Sequence, residues 1–128
     1  LSGRNRNVYV VIDNPTFLHP PKCVSRKIGL SVLDERFMTV KPGCGMTLDD
    51  HLERTQIYRD MLYKVQAQLQ KNNSSVGIID TTSELCDLES RRCEMVKEGR
   101  YLYDFTDHTS PFGSQLVGKT ILNHMKGD

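Results

Sequence analysis

With 128 residues, 38% hydrophobic and 26% charged, the chain has the size and composition of one globular domain with its own core. A net charge of +1 gives no argument for a basic footprint that would bind nucleic acid or an anionic membrane surface. No apolar run is long enough to span a bilayer, no signal-peptide pattern is present, and the chain starts at Leu1, which predicts a piece of something longer.

Val8 to Ile12 is a continuous apolar, β-branched run, the pattern of a parallel strand buried on both faces. Pro15, Pro20 and Pro21 exclude helix and central strand after it. Residues 15–46 therefore read as a long irregular excursion, with a short strand expected within the weak alternation from Ile28 to Val40. Thr47 to Asn72 is the clearest helix. Thr47 caps it, Asp50 stands in capping-box position, and Asp49 and Asp50 complement the dipole. Leu48, Leu52, Thr55, Tyr58, Leu62, Val65 and Leu69 form one stripe. Asn72 to Ser75 ends the helix, and Val76 to Asp80 is a second buried strand. A strand, loop, helix and strand in this order place both strands parallel in one sheet.

Residues 81–100 read as a polar loop, and Tyr101 to Tyr103 as a short core-packing segment. Ser110-Pro111 opens the last helix, with Ser as cap and Pro at the first helical position. Phe112, Leu116, Val117, Thr120, Ile121 and Met125 are its expected buried face, and Gly127 its stop. The class is α/β. Two strands cannot cover a three-layer core, so more sheet is expected N-terminal to Leu1 or from another chain.

Four cysteines without a CxxC pair fit a zinc site poorly. Cys86 and Cys93 suit a small disulfide-closed loop, and Cys23 and Cys44 bracket a Pro/Gly-rich excursion that a second bridge would close. Such pairing implies an oxidising compartment. The alternative is four reduced thiols, with Cys44 between Gly43 and Gly45 in the setting of an exposed nucleophile turn.

His108 is the leading chemical candidate. It follows Asp104-Phe105-Thr106-Asp107 in the loop before the Ser110-Pro111 helix start. A histidine beside acids suits general-base work, because the acid fixes the tautomer and stabilises the imidazolium. The bland reading of the same residues is a polar surface loop. His51 reads as solvated, His124 as a partner of the helix dipole, and His19 as a surface residue among prolines. No histidine pair has metal-ligand spacing. No serine stands in a G-x-S-x-G or Gly-Asp-Ser context. The scattered tyrosines and Arg91-Arg92 form no stacking platform for nucleic acid.

Three stretches, in order, resemble one family. They are Val8 to Pro15 with Cys23-Val24-Ser25-Arg26, then Ile79 to Cys86 with Cys93 and Gly99 to Tyr103, then Asp104 to Gly113. The ordered set resembles the SGNH domains fused to membrane acyltransferases. The resemblance implies a three-layer α/β/α SGNH-hydrolase-like fold with a parallel sheet, of which residues 1–128 are the C-terminal half and the N-terminal strands are missing. It implies an O-acyltransferase that decorates lipopolysaccharide O-antigen or other envelope glycans through a Ser-His-Asp arrangement, without a cofactor or metal. The partners implied are an envelope glycan or small ester substrate and a membrane acyltransferase domain of the same parent. The implied location is periplasmic or otherwise extracytoplasmic, with the parent in the cytoplasmic membrane. The Gly-Asp-Ser block and the Gly and Asn oxyanion blocks are expected upstream, so this stretch alone would be inactive. The family's acid stands three residues before the histidine, where this chain has Phe105. Asp104, Asp107 and a Ser-His dyad without an acid are the alternatives. An SGNH esterase or lipase, and a non-catalytic carbohydrate-binding or interaction domain, are the other functions carried forward.

Overall fold

The computed structural model describes residues 8–18, 23–25, 39–40, 43–72, 76–104 and 108–126. Expectations for His19, Pro20, Pro21, Ile28, Asp107 and Gly127 lie outside them.

Strands β1 (Val8–Val11) and β5 (Val76–Ile79) pair in parallel, Val8 opposite Val76 and Val11 opposite Ile79. Helix α1 (Leu48–Lys71) lies between them in sequence and packs on β5. The strand–helix–strand unit stands as expected, and the chain is α/β. The Thr47 hydroxyl accepts from the Asp50 N–H at 3.0 Å, the cap expected there. Gln66 Nε2 donates to the Val76 carbonyl at 2.8 Å and ties the helix to the start of β5.

The long excursion contributes an antiparallel pair, β2 (Val24–Ser25) with β3 (Thr39–Val40). The expected polar loop at 81–100 is instead an ordered hairpin region. It holds the short helix α2 (Thr82–Leu85) and strands β6 (Arg92–Cys93), β7 (Val96–Lys97) and β8 (Arg100–Tyr101). Strand β6 pairs with β4 (Met46–Thr47), which places Cys93 opposite Met46 at the head of α1. Glu98 and Gly99, both at positive φ, make the tight turn between β7 and β8. A composition reading misses such strands because two residues are too few to alternate.

Cys23–Cys44 and Cys86–Cys93 are disulfides, both as paired above. No free thiol remains, so Cys44 is not a nucleophile. The main core gathers around these bridges: Phe17, Met46, Leu48, Leu85, Met95 and Tyr101 to Tyr103. Helix α3 (Pro111–Lys126) closes one side, with Phe112, Leu116 and Val117 against that cluster.

Four expectations about burial are corrected. Strand β1 is not buried on both faces: Val8 is 52% exposed and Val11 40%. Only β5 pairs with β1 among the described residues, so nothing described covers those side chains. Val65 is exposed, because the buried line of α1 runs through Leu48, His51 and Thr55 before continuing through half-buried Tyr58 and Leu62. His51 is therefore not solvated but 2% exposed, at the three-residue spacing that follows Leu48. Met125 is exposed, since contact of α3 with the core is confined to its first half.

Candidate functional site

Both parallel strands run out into an aspartate. Asp13 follows Ile12, whose N–H donates to the Ile79 carbonyl at 2.8 Å, and Asp80 follows Ile79. The carboxyl ends of parallel strands are where α/β proteins assemble their sites, because the loops leaving them converge there.

Asp80 is engaged in a structural clamp. Arg59, one of the half-buried residues of α1, donates from Nη1 to Asp80 Oδ2 at 2.6 Å, from Nη2 to Thr82 Oγ1 at 2.8 Å and from Nε to Thr55 Oγ1 at 2.9 Å. The Thr82 N–H adds a bond to Asp80 Oδ1 at 2.9 Å. Burial pushes the Asp80 carboxyl up, but the hydrogen bonds from Arg59 and Thr82 outweigh it and hold the group below its ordinary value. The clamp locks α1 to the end of β5.

Asp13 has a different neighbourhood. Its Oδ1 accepts from the Asn14 N–H at 2.9 Å, and its charge is felt at both His51 and Tyr103. His51 Nε2 and the Tyr103 hydroxyl are buried without a hydrogen-bond partner among the described residues. Burial, then the charge of Arg59, lowers the His51 imidazole below 6.5. Burial, then the Asp13 carboxylate, pushes the Tyr103 phenol far up. Both rings are therefore neutral at neutral pH.

The loop that carries His108 hangs from Tyr103. Tyr103 and Thr109 form an antiparallel bridge, the Asp104 N–H donates to the His108 carbonyl at 2.9 Å, and the Ser110 N–H donates to the Leu102 carbonyl at 2.9 Å. Beyond the neck, Ser110 caps α3: its hydroxyl accepts from the Gly113 N–H at 3.1 Å and donates to the Tyr101 carbonyl at 2.6 Å. His108 and Asp104 are both exposed. The backbone thus brings Asp104 and His108 together across the mouth of one closed loop, while Asp107 lies outside the described residues. The Tyr103 ring packs edge-on against Phe17, in the segment that leaves β1, with centroids 4.8 Å apart. That contact joins the neck of the His108 loop to the segment that leaves β1.

The family model described as "SGNH domain (fused to AT3 domains)" matches residues 1–123. The chain belongs to that family. Neither the curated proteins nor the solved structures gave a match. This is an acyltransferase-associated SGNH domain, and its two disulfides fit an extracytoplasmic setting. No helix among the described residues is long and apolar enough to cross a membrane.

Sequence reasoning singled out the His108 loop of this SGNH domain as a candidate and passed over Asp13 and His51. Asp13 was legible only as the residue that ends an apolar run. His51 was legible in its spacing of three from Leu48 and four from Thr55, which puts it on the helix's inner line.

Proposed function

We propose that this domain is the C-terminal half of a three-layer SGNH fold and supplies the base side of an O-acyltransferase site. His108 is the general base. A serine from the parent's N-terminal half attacks the acyl carbonyl and passes its proton to His108, which returns it to the leaving group. A glycan hydroxyl then attacks the acyl-enzyme, again losing its proton to His108, and the serine leaves reprotonated. The acyl group is acetyl or a similar small acyl chain, and the acceptor is an envelope glycan. The parent includes a membrane acyltransferase domain, and the site lies in the periplasm or an equivalent extracytoplasmic space.

What supports this reading is that His108 stands in the closed loop ahead of α3, whose neck packs on the segment leaving β1, in a chain that belongs to this family. Asp104, across the mouth of the same loop, is its orienting acid, and Asp107 is the alternative. The test is His108→Ala in the full-length acyltransferase. Acyl transfer should fall by about two or more orders of magnitude while the domain melts as before. Undiminished transfer would remove His108 from the reaction.

A second reading rests on Phe105, which occupies the position of the family's acid. A domain that has lost its orienting acid would bind glycan without transforming it. Under that reading Asp104→Asn and His108→Ala would leave glycan binding intact, and the parent would show no acyl transfer to lose.

A further inference from the structure

The loop closed by Cys86–Cys93 and strand β7 frame an open cleft of about 490 Å³, which shares no residue with the His108 loop. That size falls within the roughly 300–1,000 Å³ of small-ligand sites. Its walls are held by hydrogen bonds. Asp87 and Arg92 exchange backbone bonds of 2.8 and 3.1 Å across the mouth of the disulfide loop. Asp87 Oδ1 accepts from the Glu89 and Ser90 N–H groups at 2.9 and 3.2 Å. Lys97 Nζ donates to the Glu84 carbonyl at 2.9 Å, and Arg92 Nε donates to Glu94 Oε1 at 2.5 Å. Both Arg92 Nη groups, Glu94 Oε2 and the remaining Lys97 N–H bonds have no partner among the described residues. Beside these charged groups, Leu88 and Val96 supply apolar wall.

A hydroxyl both donates and accepts, so a polyol is matched by carboxylate acceptors and cationic donors set side by side. The charges of the cleft nearly cancel: Asp87, Glu89 and Glu94 stand against Arg92 and Lys97. One surplus carboxylate disfavours a phosphate or a sugar acid. We propose that this cleft is a subsite for a neutral sugar unit of the envelope glycan, which rests on the reading of such a glycan as acceptor. Arg92 and Lys97 donate to ring hydroxyls, Glu94 accepts from one, and Leu88 and Val96 cover the apolar face of the ring. Leu102 joins the cleft to the candidate site: it lines the cleft, and its carbonyl accepts from the Ser110 N–H at the neck of the His108 loop. A polymeric acceptor is gripped at units remote from its reacting hydroxyl, and that remote binding energy serves the reaction.

The experiment titrates the full-length acyltransferase with envelope polysaccharide of the producing organism, stripped of O-acyl groups, hydrolysed and separated into neutral and acidic oligosaccharides. The neutral fraction should bind and slow amide exchange at Leu88, Glu89 and Ser90, with exchange in the last turn of α3 unchanged. Arg92→Gln should raise Kd about tenfold or more, the loss expected for a hydrogen bond to a charged group. Glu94→Gln, which keeps the size of the side chain, should raise it as well and decides the matter where Arg92→Gln folds poorly. Lys119→Gln, exposed on α3 outside the cleft, should leave Kd as it was. No binding of the neutral fraction, binding that leaves the loop amides unprotected, or tighter protection by the acidic fraction would each overturn the inference. Acyl transfer by His108→Ala is measured beside them. If transfer is lost in that variant and the cleft stays unprotected, this inference alone falls. If transfer is undiminished and the cleft is protected, the proposed base falls and the sugar subsite stands.

Discussion

The parallel strand pair and the disulfide-braced hairpin region show opposite relations between sequence pattern and burial. Strands β1 and β5 are the most hydrophobic runs in the chain, yet Val8 and Val11 stand open to solvent. The stretch from Leu85 to Tyr103 is polar in composition, yet it buries Leu85, Cys93, Met95 and Leu102 almost completely. The difference lies in what each segment has to pack against. A strand is buried by neighbouring strands and helices, and β1 has one strand partner among the described residues. The hairpin region is folded back on itself by Cys86–Cys93, joined to the head of α1 through β4 and β6, and covered by α3. Pattern reports what a segment is suited to bury, and cross-links with local pairing report what it does bury.

Reducing both disulfides tests that contrast hardest. Closing loops of 21 and 7 residues removes entropy from the unfolded chain worth roughly 3 and 2.5 kcal/mol. Denaturant unfolding with and without reductant should therefore differ by about 5–6 kcal/mol, a large share of a small domain's stability. Amide exchange at Met95 and Leu102 should speed up more than exchange along β5. Equal acceleration in both regions would mean that the bridges do not hold the hairpin core separately.

Gly113 comes next. A Cβ at this position would run into the Leu102 carbonyl, where the start of α3 presses on the neck of the His108 loop. Gly113→Ala should cost about 2–3 kcal/mol by overpacking. Gly118→Ala, in the open part of the same helix, should be neutral or slightly stabilising. A pair of melting curves for the two variants checks this, and equal shifts would show that α3 does not bear on the neck.

A smaller effect concerns acid. Burial and the Arg59 charge hold the folded His51 imidazole below 6.5, so the unfolded chain takes up that proton first as pH falls. The stability from a neutral His51 is complete above 6.5 and is lost as pH drops below it. Urea midpoints should decline from about pH 7.5 to about pH 5.5, and His51→Phe should flatten that decline. An unchanged slope in the variant would mean that another group sets it. At the low end, Val8→Thr in the open strand should shift stability by no more than about 0.5 kcal/mol. A loss of more than about 2 kcal/mol would show that β1 is covered after all.

Much of the candidate site was legible because its signals are local. The Ser110 cap, the proline after it and the histidine before it lie within four residues, and the order of motifs around them carried the family. The partners of that loop were not legible. Tyr103 meets Phe17 across 86 positions of chain, and no spacing rule encodes such a contact. His51 was misread because a polar residue type outweighed its helical phase.

By itself the sequence determined the parallel strand–helix–strand order and the two helix caps, and it put His108 in the loop before the last helix. Each follows from short-range chemistry: apolar runs and capping side chains. The cysteine spacing suited two bridges but left four reduced thiols open until the structure closed both. Only the tertiary structure decided that β1 lies open, that residues 81–100 form a hairpin core, and that His51 is buried. These depend on which surfaces meet, and a burial pattern along one segment does not contain the identity of the surface that covers it.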